Sequence, residues 1–315
     1  MFMRIKILIL VVFTVSAISG CASFFYGPGL PKMNTIPQDI SQDIRREIER
    51  LYSKKPLERA QAAIRLGEMG ERAEDAIPFL IGILYDGRPL YRPEDWPEGE
   101  IYFEKISRLT KDKRINVTRR SVGSIGALAL SMIGEEAIGP LMEALDVKTL
   151  TYVHYLHDVA TALAAIGAPA TDSLIAALYH KNPVVRSGAA EALYMSEDKD
   201  PRAVMPLIAR LKDQDLAVRI WAAYALSQLG DSRAIKPFEE ILSGYSFPCV
   251  EAAAAEGLGN LNSMDSLVLL SKRAAGYPES SSAENSWCYP GIAARRAIDQ
   301  IIGALHGNNN QNTSH

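Results

Sequence analysis

One pattern recurs along this chain and leaves it few folds to choose from. It is clearest in residues 216–242, LAVRIWAAYALSQLGDSRAIKPFEEIL, which read as two short helices around a tight turn. Val218, Ala222, Ala225, Leu226 and Leu229 lie at helical spacing. Gly230 follows, where a helix end favours a residue that tolerates the left-handed conformation. Asp231 or Ser232 can cap the next helix by accepting a backbone N–H. Pro237 sits early in that helix, where a missing N–H costs least. Ala234, Ile235, Phe238 and Leu242 form its apolar stripe. Neither stripe is wide enough to hold a helix in water by itself, so the unit must stack on copies of itself.

Copies are present. Aligned on the turn glycine, the unit returns around Gly70, Gly134 and Gly167, with Ser196 and Asn262 at the glycine position of two more. From Gly134 to Gly167, Ser196 to Gly230 and Gly230 to Asn262 the step is roughly 33 residues, the period of helical-pair arrays. The V-R-x-x-A-A-x-A-L text at Val218–Leu226 resembles the HEAT repeat in its short bacterial form, the PBS-lyase HEAT-like repeat. The resemblance covers residues 56–305. It implies an all-α fold, an alpha-alpha superhelix of about six helical pairs plus caps. It also implies that the second helix of each pair lines the concave face. That would put Gly82, Glu143, Ala176, Ala209, Glu240 and Lys272 on that face, with Tyr85 and Tyr179 one turn later.

Residues 1–20 carry Arg4 and Lys6, then the apolar run Ile7–Val15, then small residues, the layout of a secretory signal. The apolar run is too short to span a bilayer comfortably. Ile18-Ser19-Gly20-Cys21 resembles the lipobox of bacterial lipoproteins, which implies cleavage before Cys21 and diacylglycerol on its sulfur. Ala22 and Ser23 follow without an aspartate, and the same resemblance implies the outer membrane, facing the periplasm. Lipid on Cys21 would hold the protein at the membrane and leave the rest in water. Residues 21–38, with Gly27, Pro28, Gly29, Pro31 and Pro37, read as an extended tether. The solenoid is expected over 39–305, opening on a capping helix whose one face holds Ile40, Ile44, Ile48 and Leu51. Residues 306–315 are polar and asparagine-rich, and a disordered tail is expected there.

Two segments break the period. Residues 86–116 carry Tyr91, Trp96 and Tyr102, and read either as an inserted loop or as a degenerate repeat. Residues 276–290 form a second loop, ending in Trp287, Cys288 and Tyr289. Both join a second helix to the next first helix, so both belong to one edge of a solenoid. Tyr91, Trp96, Tyr102, Trp287 and Tyr289 on that edge, together with Tyr85 and Tyr179, are candidate partner-binding residues. Aromatic side chains give contact area at low entropic cost. Cys249 and Cys288 both fall near the start of a first helix, in adjacent units. An oxidising compartment would let them form a disulfide, and two buried thiols are the alternative. Arg59, Arg186 and Arg219 occupy equivalent places, and Asp86, Asp213 and Asp215 fall near the turns between units. A ladder of Arg–Asp pairs is expected, broken where Glu251 stands at the arginine position.

The chemistry is sparse. There is no glycine-rich phosphate loop, G-x-S-x-G, CxxC or H-E-x-x-H. Deoxyhypusine hydroxylase, a HEAT-like enzyme, holds iron with His-Glu pairs, but none of the five histidines here precedes a glutamate. His154 and His157 are three apart on a helix, yet no third ligand accompanies them at a recognisable spacing, so neither metal nor cofactor is expected. The formal net charge of -3 becomes more negative when Arg4 and Lys6 leave with the signal, which disfavours nucleic acid. The expected function is a non-enzymatic protein–protein interaction scaffold, bound to the membrane through Cys21 and to an envelope or periplasmic protein. A HEAT-like lyase-class enzyme, or a small-ligand or metal-binding protein using His154 and His157, is the alternative.

Overall fold

A computed structural model describes residues 29–88, 121–146, 153–244, 246–277 and 288–312. Within them a capping helix, α1 (Gln42–Arg50), precedes six helical pairs. These are α2 (Pro56–Glu68) with α3 (Ile77–Ile83), α4 (Val122–Ile133) with α5 (Ile138–Leu145), and α6 (Val153–Ile166) with α7 (Ala168–Ala177). There follow α8 (Pro183–Met195) with α9 (Val204–Arg210), α10 (Leu216–Leu229) with α11 (Ile235–Ser243), and α12 (Pro248–Asn260) with α13 (Leu267–Ala275). Helix α14 (Pro290–Asn312) closes the array.

Local chemistry sets each boundary. Prolines open α2, α8 and α12 at the position where a missing N–H is harmless. Asp215 caps α10 by accepting from the Ala217 and Val218 N–H groups. Asp231 caps the turn before α11. The repeat turn is left-handed at Gly70, Gly134, Gly167 and Gly230, and also at Asn262, with φ 49°. Asparagine is the residue besides glycine that adopts this conformation most readily. Ser196 differs. It leaves α8 extended, at φ -64° and ψ 141°, and the chain runs on to Asp200, which caps the next turn. A longer connection removes the need for a left-handed residue.

The two layers pack differently, and this corrects the expected face. First helices pack directly on one another along the whole array, α2 on α4 through α12 on α14, whereas second helices barely meet their counterparts. The approach reaches backbone contact. A Cβ at Gly67 would lie 2.9 Å from the Ala129 Cα, and one at Gly259 would lie 2.8 Å from the Ala297 Cα. The alanines of the A-A-x-A text, buried along the first helices, allow this spacing. An array packed tightly in one layer and splayed in the other curves toward the tight layer. The first helices therefore line the concave face, and the second helices, with Glu240 and Lys272, lie outside.

Helices α2 and α3 pack directly on α4, so no unit of the stack separates the pairs on either side of residues 89–120. Residues 29–38, expected as free tether, are docked. Ile36 is buried, the Tyr52 hydroxyl donates to the Pro31 carbonyl, and the Arg45 guanidinium donates to the Pro37 carbonyl. This segment also covers Gly82, whose added Cβ would meet the Gly29 carbonyl at 2.9 Å. At the other end α14 continues to Asn312, into the stretch expected to be disordered. Helix extension adds one hydrogen bond per residue once a packed segment has nucleated it.

The arginine ladder is real but uneven. Arg59 pairs with Asp86. Arg186 pairs with Asp213 through two contacts of 2.7 and 2.9 Å and also donates to the carbonyls of His180 and Lys181. Arg219 donates to the carbonyls of Asp213 and Gln214; the place 27 residues on, where Asp86 and Asp213 stand for the other two arginines, is Ser246. At Glu251 the charges are exchanged rather than lost, with Arg273 approaching its carboxylate at 3.5 Å.

Gly257 shows how little slack the core has. A Cβ there would lie 2.3 Å from Cε2 of Phe238, a fully buried ring. Gly257→Ala should therefore destabilise by about 1–3 kcal/mol despite alanine's better helix propensity. Urea midpoints check this, and adding Phe238→Leu should recover part of the loss.

Candidate functional site

Four first-layer helices converge on a cleft of about 510 Å³. Tyr194 comes from α8, Trp221 and Tyr224 from α10, Glu256 from α12 and Arg296 from α14, with Tyr289 just before α14. The repeat text explains the placement. In V-R-x-x-A-A-x-A-L the alanines and leucine, Ala222, Ala223, Ala225 and Leu226, are buried. The second and third x positions are Trp221 and Tyr224, which turn to the cleft.

The rings form one surface. Tyr194 lies 5.8 Å from Trp221 and 5.7 Å from Tyr224, and Trp221 lies 6.3 Å from Tyr224, all tilted. Burial, then the nearby Glu256 charge, pushes the Tyr194 and Tyr224 hydroxyls above the usual phenol range. Burial likewise raises the Glu256 carboxyl, and the Arg296 charge opposes this. Glu256 accepts a long 3.4 Å hydrogen bond from Gln228. Tyr289 is held from two sides. The neighbouring Cys288 is disulfide-bonded to Cys249, with Cα atoms 4.2 Å apart. The Tyr289 ring meets Tyr277 edge-on at 5.7 Å, and the Tyr277 hydroxyl bonds Glu251. A cluster of tilted aromatic rings with one acid and one base at its margin is equipped for recognition.

The other residues singled out in the sequence fall elsewhere. Tyr85 stacks on Tyr155 with ring centroids 3.7 Å apart, and Tyr155 donates to the Ala144 carbonyl, so this pair is packing between units. Tyr179 is exposed on the outer side, with the Arg210 guanidinium 5.4 Å over its ring. His157 Nδ1 lies 2.7 Å from Glu191 Oε1 across α6 and α8. Among the described residues no group of three or more His, Cys, Asp or Glu is placed to hold a metal ion. Cys21, Tyr91, Trp96, Tyr102, Trp287 and the His154 side chain lie outside the described residues. Tyr194, Trp221, Tyr224, Glu256 and Arg296 escaped the sequence reading because it put the concave face on the other helix. Their signal was present, in large residues at the variable positions of the repeat text.

Residues 171–259 and 205–281 match the family model of HEAT repeats. Among solved structures the chain is similar to an engineered protein, at 19% identity over 84% of this chain and 98% of that chain, with a TM-score of 0.35. It is similar to human deoxyhypusine hydroxylase in complex with glycerol, at 18% identity over 83% and 96%, with a TM-score of 0.34. It is also similar to the complex of CpcE and CpcF of phycocyanin lyase from Nostoc sp. PCC7120, at 21% identity over 90% and 99%, with a TM-score of 0.32. No curated protein matches it. The described residues form an all-α array of stacked helical pairs, and residues 171–281 of it match HEAT repeats.

Proposed function

We propose that this HEAT-repeat array is a non-catalytic docking scaffold, held at the bacterial envelope by lipid on Cys21, whose partners are envelope or periplasmic polypeptides. The observation that carries the reading is the aromatic cleft opening on the concave, first-helix face. Rigid aromatic residues surrounded by helices are the usual anchors of protein contact. The envelope location is supported by the signal layout of residues 1–20 and by Ile18-Ser19-Gly20-Cys21. The Cys249–Cys288 disulfide suits an oxidising compartment. Among the described residues no helix is long and apolar enough to cross a membrane.

Two experiments test it. Metabolic labelling with an alkyne fatty acid should mark the wild-type protein and not Cys21→Ser, which should also leave the membrane fraction. Labelling that survives the substitution removes the anchor. Arg296 is exposed at the cleft margin, so Arg296→Ala should keep the thermal midpoint and lower recovery of a crosslinked envelope partner about tenfold, equivalent to ~1.4 kcal/mol. Unchanged recovery would move the docking face away from the cleft.

A further inference from the structure

We infer that the cleft takes a lysine or arginine side chain of the docked polypeptide, its methylene stem lying on Trp221 and its charged head meeting Glu256. This rests on the docking reading above and adds the chemistry of the partner. Tyr194, Trp221 and Tyr224 stand 5.7–6.3 Å apart, centre to centre, at tilts of 39–56°. Rings that close leave no room for a group between them, so an occupant lies on their shared surface. Ring faces carry negative potential and attract cations, and long basic side chains lay apolar stems on such surfaces.

Glu256 is half-buried beside the rings, and the Arg296 charge acts on it across the cleft without forming an ion pair among the described residues. Its hydrogen-bond partner is the Gln228 side-chain amide, at 3.4 Å. A carboxylate partly removed from water and not in direct contact with a cation is costly, and an incoming ammonium or guanidinium relieves that cost. An anionic occupant would face both Glu256 and the electron-rich rings. Arg296 stands exposed at the margin and forms no ion pair among the described residues. Its N–H groups suit a backbone carbonyl of the same segment, which favours a polypeptide over a free amine. The negative net charge of the chain favours a positively charged partner.

The test uses the full chain in detergent with 15N-labelled tryptophan, the Trp221 indole signal being assigned through Trp221→Phe. The probes are the N-acetyl methylamides of lysine and arginine, their neutral counterparts from norleucine and citrulline, and the glutamate amide. The basic amides should shift the Trp221 signal with dissociation constants at least tenfold below those of the neutral pair. Glu256→Gln should bring that ratio close to one while the remaining tryptophan signals stay in place. Equal affinity across the series, preference for glutamate, or no shift up to the solubility of the amides would overturn the inference. If charge proves irrelevant while an envelope partner is still captured on the first-helix face, only this inference falls. If the basic amides bind selectively while no polypeptide partner is captured, the docking reading falls and a cation site remains.

Discussion

Reducing the Cys249–Cys288 disulfide is expected to destabilise the carboxy-terminal end of the array by about 4 kcal/mol. The bond spans 39 residues and ties the start of α12 to the start of α14. Without it, that segment of the unfolded chain regains the entropy of an open loop. Solenoids lose order from their ends, because each unit is held only by its neighbours. The loss should therefore stay local. Amide exchange should show Ala294 and Ala297 in α14 losing protection under reductant while Leu128 and Leu130 in α4 keep theirs. Cys249→Ala/Cys288→Ala should reproduce the effect without reductant. Uniform loss along the array, or none, would show that the bond is not the staple of this end. Loosening Cys288 also frees Tyr289, so cleft binding should weaken in the same samples.

Asp213→Ala should cost about 3–5 kcal/mol. Arg186 and Asp213 are buried together, their side chains 14% and 4% exposed. A buried pair adds little over a well-packed apolar pair, but removing one partner strands the other charge away from water. Arg186 would keep its two carbonyls and lose both carboxylate contacts. The pair also sets a pH response. Burial alone would raise the Asp213 carboxyl. Hydrogen bonds from Arg186 and the Asp215 backbone, with the charges of Arg186 and Arg210, outweigh it and hold the pKa below 3.8. A depressed folded pKa means the contribution is present above the unfolded value and is lost as pH falls through the folded one. Urea unfolding of the wild type should thus weaken steeply at pH below 3.8, and Asp213→Asn should flatten that part of the curve.

The repeat was legible because its signals are local. Gly230 ends a helix by its own backbone, Asp215 caps one with its own side chain, and the apolar spacing of α10 needs no partner to be read. The cysteine pair was also within reach, since alignment on the turn residue placed both at helix starts in adjacent units. Curvature was not legible. It follows from how closely Gly67 approaches Ala129 and Gly259 approaches Ala297, a property of two helices that neither shows alone. Once the concave layer was assigned to the other helix, Trp221 and Tyr224 read as ordinary members of an amphipathic stripe. Glu256 in EAAAAEGLGN gives no sign of its aromatic surroundings, because those come from helices one and two units away. Gly257 looks like a weak point in a helix until Phe238 is seen against it. The docking of residues 29–38 was hidden for a similar reason. Proline and glycine report the absence of regular structure, and they are silent on whether the irregular backbone finds partners.

The most direct measurement is site-specific photocrosslinking in cells of the producing bacterium. A photoreactive residue would replace Gln228 or Asn260, exposed on the first-helix face, or Met205 or Val268, exposed on the second-helix face. All four are surface positions, so the fold should survive each change. A discrete envelope adduct from Gln228 and Asn260, absent from Met205 and Val268, is the predicted result. Adducts from the second-helix positions alone would contradict the account and put the partner on the convex side.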